Sequence, residues 1–264
     1  METRRSIMRK LIENLQSQRL ACVARRQSRS LAQGNKTASQ SESDKALASI
    51  VVNYDKIISD VIKLDSDSSS RPSDFRKSLH GLRDTFRHKT TGAIEEYKVA
   101  LRNLEYLIGD FEKDITRLLL TETIDRLQEA HDQDNTKSYV SIVTGAFGPL
   151  LNGRDDRIAV SGLIALVEDN DPFIASLAMI MLGVLKIGKI DTPGAINAIR
   201  SVKRRQGKKI VTISSILSLD ILGDRDARNQ IVDLQLLGKV DASDSERMAD
   251  AIAIVSFAIA TGKD

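Results

Sequence analysis

Tryptophan is absent from this chain of 264 residues, and the aromatic residues together make up 4% of it. So little ring area argues against a β-sandwich core and against a surface on which bases stack, and it favours an aliphatic helical core. A single cysteine, Cys22, excludes an internal disulfide and any multi-cysteine metal site, and suits a reducing compartment. In its basic surroundings that thiol is expected to be exposed and at most mildly activated. Only four prolines interrupt the chain, which again suits helices. Long apolar runs are also missing. The longest, Phe173–Leu185, reaches Lys186 after 13 residues, too short to cross a bilayer.

Catalytic constellations are equally scarce. Of the three histidines, His80 and His88 share a helical stretch, but eight residues leave them about 80° apart around its axis, which does not make a chelate. No histidine stands beside a glutamate. The paired carboxylates Asp155/Asp156, Asp169/Asp171 and Asp224/Asp226 fall in turns between helices, where aspartate caps helix ends. Ser161, Ser176, Ser214 and Ser215 lie within helices without a nucleophile elbow. Gly145 and Gly148 are not followed by the Lys-Ser/Thr of a phosphate loop. No enzyme, no cofactor and no metal site is expected.

What the chain does contain is a repeat. Pro149–Asp155, Leu185–Asp191 and Asp220–Asp226 align so that Gly153, Gly188 and Gly223 recur every 35 residues, a period typical of stacked helical hairpins. Asp156–Glu168 reads as a helix, broken by Asp169–Asp171. Asp171 and Pro172 form a cap-plus-proline start for the nearly all-apolar Phe173–Ile187, which Gly188 should end. Thr192-Pro193 opens Gly194–Gln206, and Lys209–Leu222 follows. The third unit is Arg225–Leu237 and Glu246–Thr261, with a capping box at Ser243–Glu246. Glu122–Asp134 and Tyr139–Asn152 make an earlier, less regular half-unit.

At Leu163-Ile-Ala-Leu-Val-Glu-Asp-Asn-Asp-Pro172, Ala178, Leu182-Gly183 and Ile221-Leu-Gly-Asp-Arg-Asp-Ala227 the chain resembles the HEAT-like repeat family, in its short, phycobilisome-lyase-like type. The resemblance covers roughly residues 122–262. It implies an α-solenoid and a binding role, and no catalytic residues. The chain departs from the family at Lys203-Arg-Arg-Gln-Gly-Lys-Lys209, five cations in seven residues where an acidic turn is usual.

Two further blocks precede the repeats. Residues 1–29 carry eight cations against Glu2 and Glu13, a formal +6, which leaves about −3 for the rest. Ile7, Met8, Leu11, Ile12 and Leu15 fall at helical spacing there, and Gln33–Asp44 has a linker composition. Nucleic-acid contact, anionic-membrane contact, a transit peptide or a mobile terminus all fit this arm. In Asp44–Leu64 apolar residues step by threes and fours. They do so again in Gly92–Leu120, through Ile94, Tyr97, Leu101, Leu104, Ile108, Phe111, Ile115 and Leu118. Extra apolar residues at Val51, Ile58, Leu107 and Leu119 widen the stripe, so three or more helices are expected to meet. The linker Asp65–Pro72 is long enough for an antiparallel hairpin, which favours an intramolecular bundle over an oligomerising coiled coil. Self-association as a homo-oligomer through helix 92–120 is a further expectation.

The sequence therefore predicts an all-α protein in three parts. These are a basic, largely disordered arm (1–45), a helical bundle or coiled coil (46–120) and a HEAT-like domain (121–264). The expected function is that of a cytoplasmic scaffold binding a protein partner, or of an organellar one if the arm is a transit peptide. The competing reading is nucleic-acid association through Arg4, Arg5, Arg9, Lys10, Arg25, Arg26, Arg29, Lys203, Arg204, Arg205, Lys208 and Lys209.

Overall fold

The computed structural model describes residues 3–31, 38–67, 72–90, 94–146, 156–185, 192–203, 208–234 and 243–262. Every regular element among them is helical. The first four helices are α1 (Arg4–Leu31), α2 (Ala38–Ser66), α3 (Pro72–Lys89) and α4 (Glu95–Asp132). After a 3₁₀ turn at Thr136–Ser138 come α5 (Tyr139–Gly145), α6 (Asp156–Leu166), α7 (Pro172–Leu185) and α8 (Thr192–Lys203). The chain ends on α9 (Lys209–Ile221), α10 (Arg225–Asp233) and α11 (Asp244–Ala260). The all-α expectation holds. The chain packs as two units, Met1–Phe111 and Glu112–Asp264, divided within α4.

In the first unit the residues read from sequence as a disordered arm are helical from Arg4 to Leu31 and again from Ala38. Ile7, Met8, Leu11, Leu15 and Cys22 are buried on one face of α1. Burying a large aliphatic side chain is worth about 1.5–3 kcal/mol, and several of them offset the entropy of ordering the segment. High charge does not oppose this, because most of the cations lie off the apolar face. Contacts along the unit fix helix directions. Arg4 lies 5.6 Å over the Phe75 ring near the start of α3, while Arg29 pairs with Glu96 at the start of α4 at 2.7 Å. So α1 and α3 run one way, with α2 and α4 opposed, as in an up-and-down four-helix bundle. Tyr54 meets Phe86 edge-on at 5.6 Å, and Phe86 meets Tyr97 at 6.1 Å. Tyr97, Leu104, Leu107, Ile108 and Phe111 of α4 are buried within the chain, and Tyr106 is the large side chain α4 leaves exposed.

The second unit is made of shorter helices whose ends follow the sequence signals. Asp171 Oδ1 accepts the Phe173 N–H at 2.9 Å, with Pro172 opening α7. Ser243 and Glu246 form the reciprocal capping box at the start of α11. Gly223, at φ 89°, closes α9, with Asp224 N–H donating to Leu219 O and Gly223 N–H to Asp220 O, both at 2.9 Å. Gly153 and Gly188 lie outside the described residues.

Each residue of α7 from Ile174 to Leu185 is buried, because α7 is surrounded by α6, α9 and α11. α6 also packs on α8, and α8 on α9. α10 packs on α9, whereas the principal neighbours of α11 are α9, α7 and α5. Its Phe257 meets His131, near the end of α4, edge-on at 5.8 Å. Within the second unit α4 and α6 approach closely at Gly162. A Cβ there would fall 2.5 Å from Thr116 Oγ1 and 3.3 Å from Glu112 O.

Candidate functional site

Within the first unit, the described cations proposed for anion contact do not form one cluster. Arg9 pairs with Glu13 along its own helix at 2.9 Å. Arg4 rests on Phe75, and Arg29 is held by Glu96 and Ser43. Arg19, which the sequence reading left out of the set, pairs with Asp55. Arg5, Lys10, Arg25 and Arg26 are exposed. The twenty residues from Arg5 to Arg25 separate two of them by about 30 Å along the helix. Burial pushes the Glu96 carboxyl up, but hydrogen bonds from Ser43, Arg29 and its own backbone outweigh this and hold it below the usual range. Cys22 is buried, not exposed. Burial raises its thiol and the Arg25 charge only partly offsets this, so its chemistry is that of a packed side chain.

Of the basic turn, Lys203 ends α8, while Lys208 and Lys209 stand exposed at the start of α9. Arg204 and Arg205 lie outside the described residues, as does the side chain of Lys203. α9 begins at Lys208 with no side-chain cap.

Of the paired aspartates, Asp155 and the Asp156 side chain lie outside the described residues, while Asp169, Asp171 and Asp224 act as helix caps or arginine anchors. Asp224 Oδ1 accepts the N–H groups of Asp226 (3.0 Å) and Ala227 (3.4 Å), and Oδ2 binds Arg200 of α8 at 2.8 Å. Burial works against the charged form of Asp224, yet the Arg200 hydrogen bond, the two backbone donors and the Arg200 charge hold it below the usual range. Asp220, almost wholly buried, binds Arg228 of α10 and lies 4.0 Å from Arg247 of α11. Asp169 repeats the device, joined to Arg117 of α4 at 3.0 Å. These carboxylates are engaged in holding helices together. Among the described residues no group of three or more His, Cys, Asp or Glu side chains is placed to hold a metal. No described helix is long and apolar enough to cross a membrane.

A concave feature of the second unit lies between α9 and α11, an apolar groove of about 240 Å³. Ile210 and Ile213 line it from α9. Ile254, Phe257 and Ala258 of α11 and Thr261, its C-cap, recur at helical spacing, and Lys209 lines the groove from the start of α9. Phe257 is 47% exposed, while Ile213, Ile254 and Ala258 are half-buried. Sequence analysis singled out none of these side chains. The available signal was α11 itself, whose apolar residues cover more of its circumference than one buried stripe requires.

Comparison with protein-family models, with curated proteins and with solved structures finds no match to this chain.

Proposed function

We propose that this chain is a non-enzymatic scaffold or adaptor that binds a protein partner through the helical surface of its C-terminal unit. In this reading α6–α7 and α8–α9 are HEAT-like hairpins, and α10 with α11 is a modified third repeat that turns back on the array. The observation that carries it is the α9–α11 groove with Phe257 half-exposed beside it. Isolated apolar residues on a surface mean little, but a concave apolar site with a large ring at its rim is a surface suited to a partner. The test is purification of the tagged full chain with and without nuclease. A stoichiometric protein that survives nuclease is expected. Recovery of partners only when nucleic acid is intact would overturn the reading.

A second reading, nucleic-acid association, is favoured by Arg25 and Arg26, exposed near the end of α1 with no carboxylate partner among the described residues. It requires affinity for duplex or single-stranded probes to fall steeply between low and physiological salt. A flat salt dependence would remove it.

A further inference from the structure

We infer that the groove between α9 and α11 receives one face of an amphipathic helix from an acidic protein partner, its apolar side chains against Phe257 and Ile213 and a carboxylate at one end meeting Lys209. The inference rests on the scaffold reading and names the partner's chemistry. The start of α9 lies beside the end of α11, since Lys209 and Ile210 share the groove with Ala258 and Thr261. The groove therefore runs between two antiparallel helices, and an added helix continues that packing, burying residues spaced i, i+3, i+4 and i+7.

The charge at the rim is not uniform. Lys208 and Lys209 are exposed at one end, at the start of α9. Toward the other end Asp250, exposed, stands one turn before Ile254 and on the same face of α11. A partner is thus oriented with its acidic end toward Lys209. The apolar lining disfavours a nucleic-acid backbone, which would leave Phe257 and Ile213 uncovered.

The probe is a fluorescein-labelled, helix-stabilised peptide with Leu and Phe at i, i+3, i+4 and i+7 and Glu at one end. A matched peptide carries Lys in place of Glu. Anisotropy with the full chain at physiological salt should show the Glu peptide binding at least about tenfold more tightly than the Lys peptide. Phe257→Asp should weaken the Glu peptide by about tenfold or more. Lys209→Glu, a surface change that leaves the core untouched, should reverse the order of the two peptides. Equal binding of both peptides, or binding unmoved by both variants, overturns the proposal. So does concentration-dependent self-association abolished by Phe257→Asp, which would give the groove to a second copy. If a nuclease-resistant partner still co-purifies with the Phe257→Asp chain, the scaffold reading stands and this groove does not serve it. Loss of the Glu-peptide preference together with nuclease-sensitive capture would sink both.

Discussion

Six of the ten aromatic residues, Tyr54, Phe75, Phe86, Tyr97, Tyr106 and Phe111, fall in residues 1–111. Five of these are buried, and Tyr54, Phe86 and Tyr97 stack in series between helices. The second unit has no such series among its described residues and relies on aliphatic packing around α7, with Ser176, Ser214 and Ser218 wholly buried. Helix length differs as well: α1 and α2 have 28 and 29 residues, whereas α8, α9 and α10 have 12, 13 and 9. Each helix end leaves about four N–H or four C=O groups without a partner in the helix. A unit built from short helices has more ends per residue to satisfy. That accounts for where Asp171, Asp224, Ser243 and Gly223 fall, and for the arginines fastened to Asp169, Asp220 and Asp224. In the first unit long apolar stripes carry the packing, and in the second the helix ends must be managed one by one.

The largest effect expected from breaking this contrast is at Phe86, fully buried between Tyr54 and Tyr97. Phe86→Ala should destabilise the chain by about 3–5 kcal/mol in urea denaturation. The half-exposed ring of the second unit should matter far less, with Phe257→Ala below about 1.5 kcal/mol. Comparable values for the two would mean that the rings do not divide the units in this way. Next comes Gly162, where α4 and α6 meet. Gly162→Ala should cost about 1–3 kcal/mol by overpacking, and Thr116→Ala in the same chain should recover much of it, because the Thr116 hydroxyl is the nearest obstacle. The hydroxyl is itself buried without a hydrogen-bond partner, so removing it alone should change stability little. Gly183→Ala is the control: its Cβ would sit 3.5 Å from Ile221, ordinary contact, and its stability should hold or rise.

How much of this was legible in the sequence depended on distance along the chain. The starts of α7 and α11 and the end of α9 were readable because the donor and acceptor of each capping bond lie within five residues of each other, as at Asp171–Phe173, Ser243–Glu246 and Leu219–Asp224. The buried stripe of α4 was readable from its own periodicity. What local pattern does not encode is the partner of a face. The apolar residues of α1 had the right spacing, but their charge-rich surroundings suggested a free arm. The return of α11 to α5 and α7 is set by contacts from about sixty to about a hundred and twenty residues apart in sequence, and no local signal records them. The groove was hidden for the same reason. Ile213 and Ile254 are indistinguishable from core residues until their neighbours are known.

Acid should test the helix-end devices directly. Asp224 has its pKa depressed in the folded chain, so the folded state binds its proton less readily than the unfolded one. Its contribution is therefore fully present above the unfolded aspartate value of about 3.9 and is lost as pH falls through the lower folded value. Glu96 in the first unit follows the same sign, with its window beginning near the unfolded glutamate value of about 4.3. Asp224→Asn keeps an oxygen to cap α10 but removes the charge facing Arg200. It should cost about 0.5–2 kcal/mol at neutral pH and flatten the acid limb of stability measured by urea midpoints from pH 6 to 2. An acid limb as steep as that of the unaltered chain would show that Asp224 is not the group responsible.

The smallest effect expected, and the most finely divided, is at the end of α4. There Asn135 N–H donates to Ala130 O at 2.8 Å and Asp134 N–H to His131 O at 2.9 Å, which is the Schellman pattern with Asp134 in the glycine position. Asp134 has φ 55°, a left-handed conformation that a side chain disfavours. Its negative charge also lies at the negative end of the helix dipole. Both terms oppose stability, and two substitutions separate them. Asp134→Asn keeps a residue of similar shape that tolerates this backbone but removes the charge, so it should stabilise by about 0.3–1 kcal/mol, the usual size of a helix-end charge effect. Asp134→Gly removes the charge and the steric term together and should gain about 0.5–1 kcal/mol more. The charge term carries a second readout. Burial raises the pKa of Tyr139, and the Asp134 charge raises it further. Both variants should therefore lower the Tyr139 titration midpoint seen by ultraviolet absorbance, and by the same amount, because each removes the same charge. If Asp134→Gly stabilises while Asp134→Asn does not, the backbone term alone is at work. If neither stabilises, the end of α4 is held by its packing against α5 and Phe257, and its local geometry is incidental.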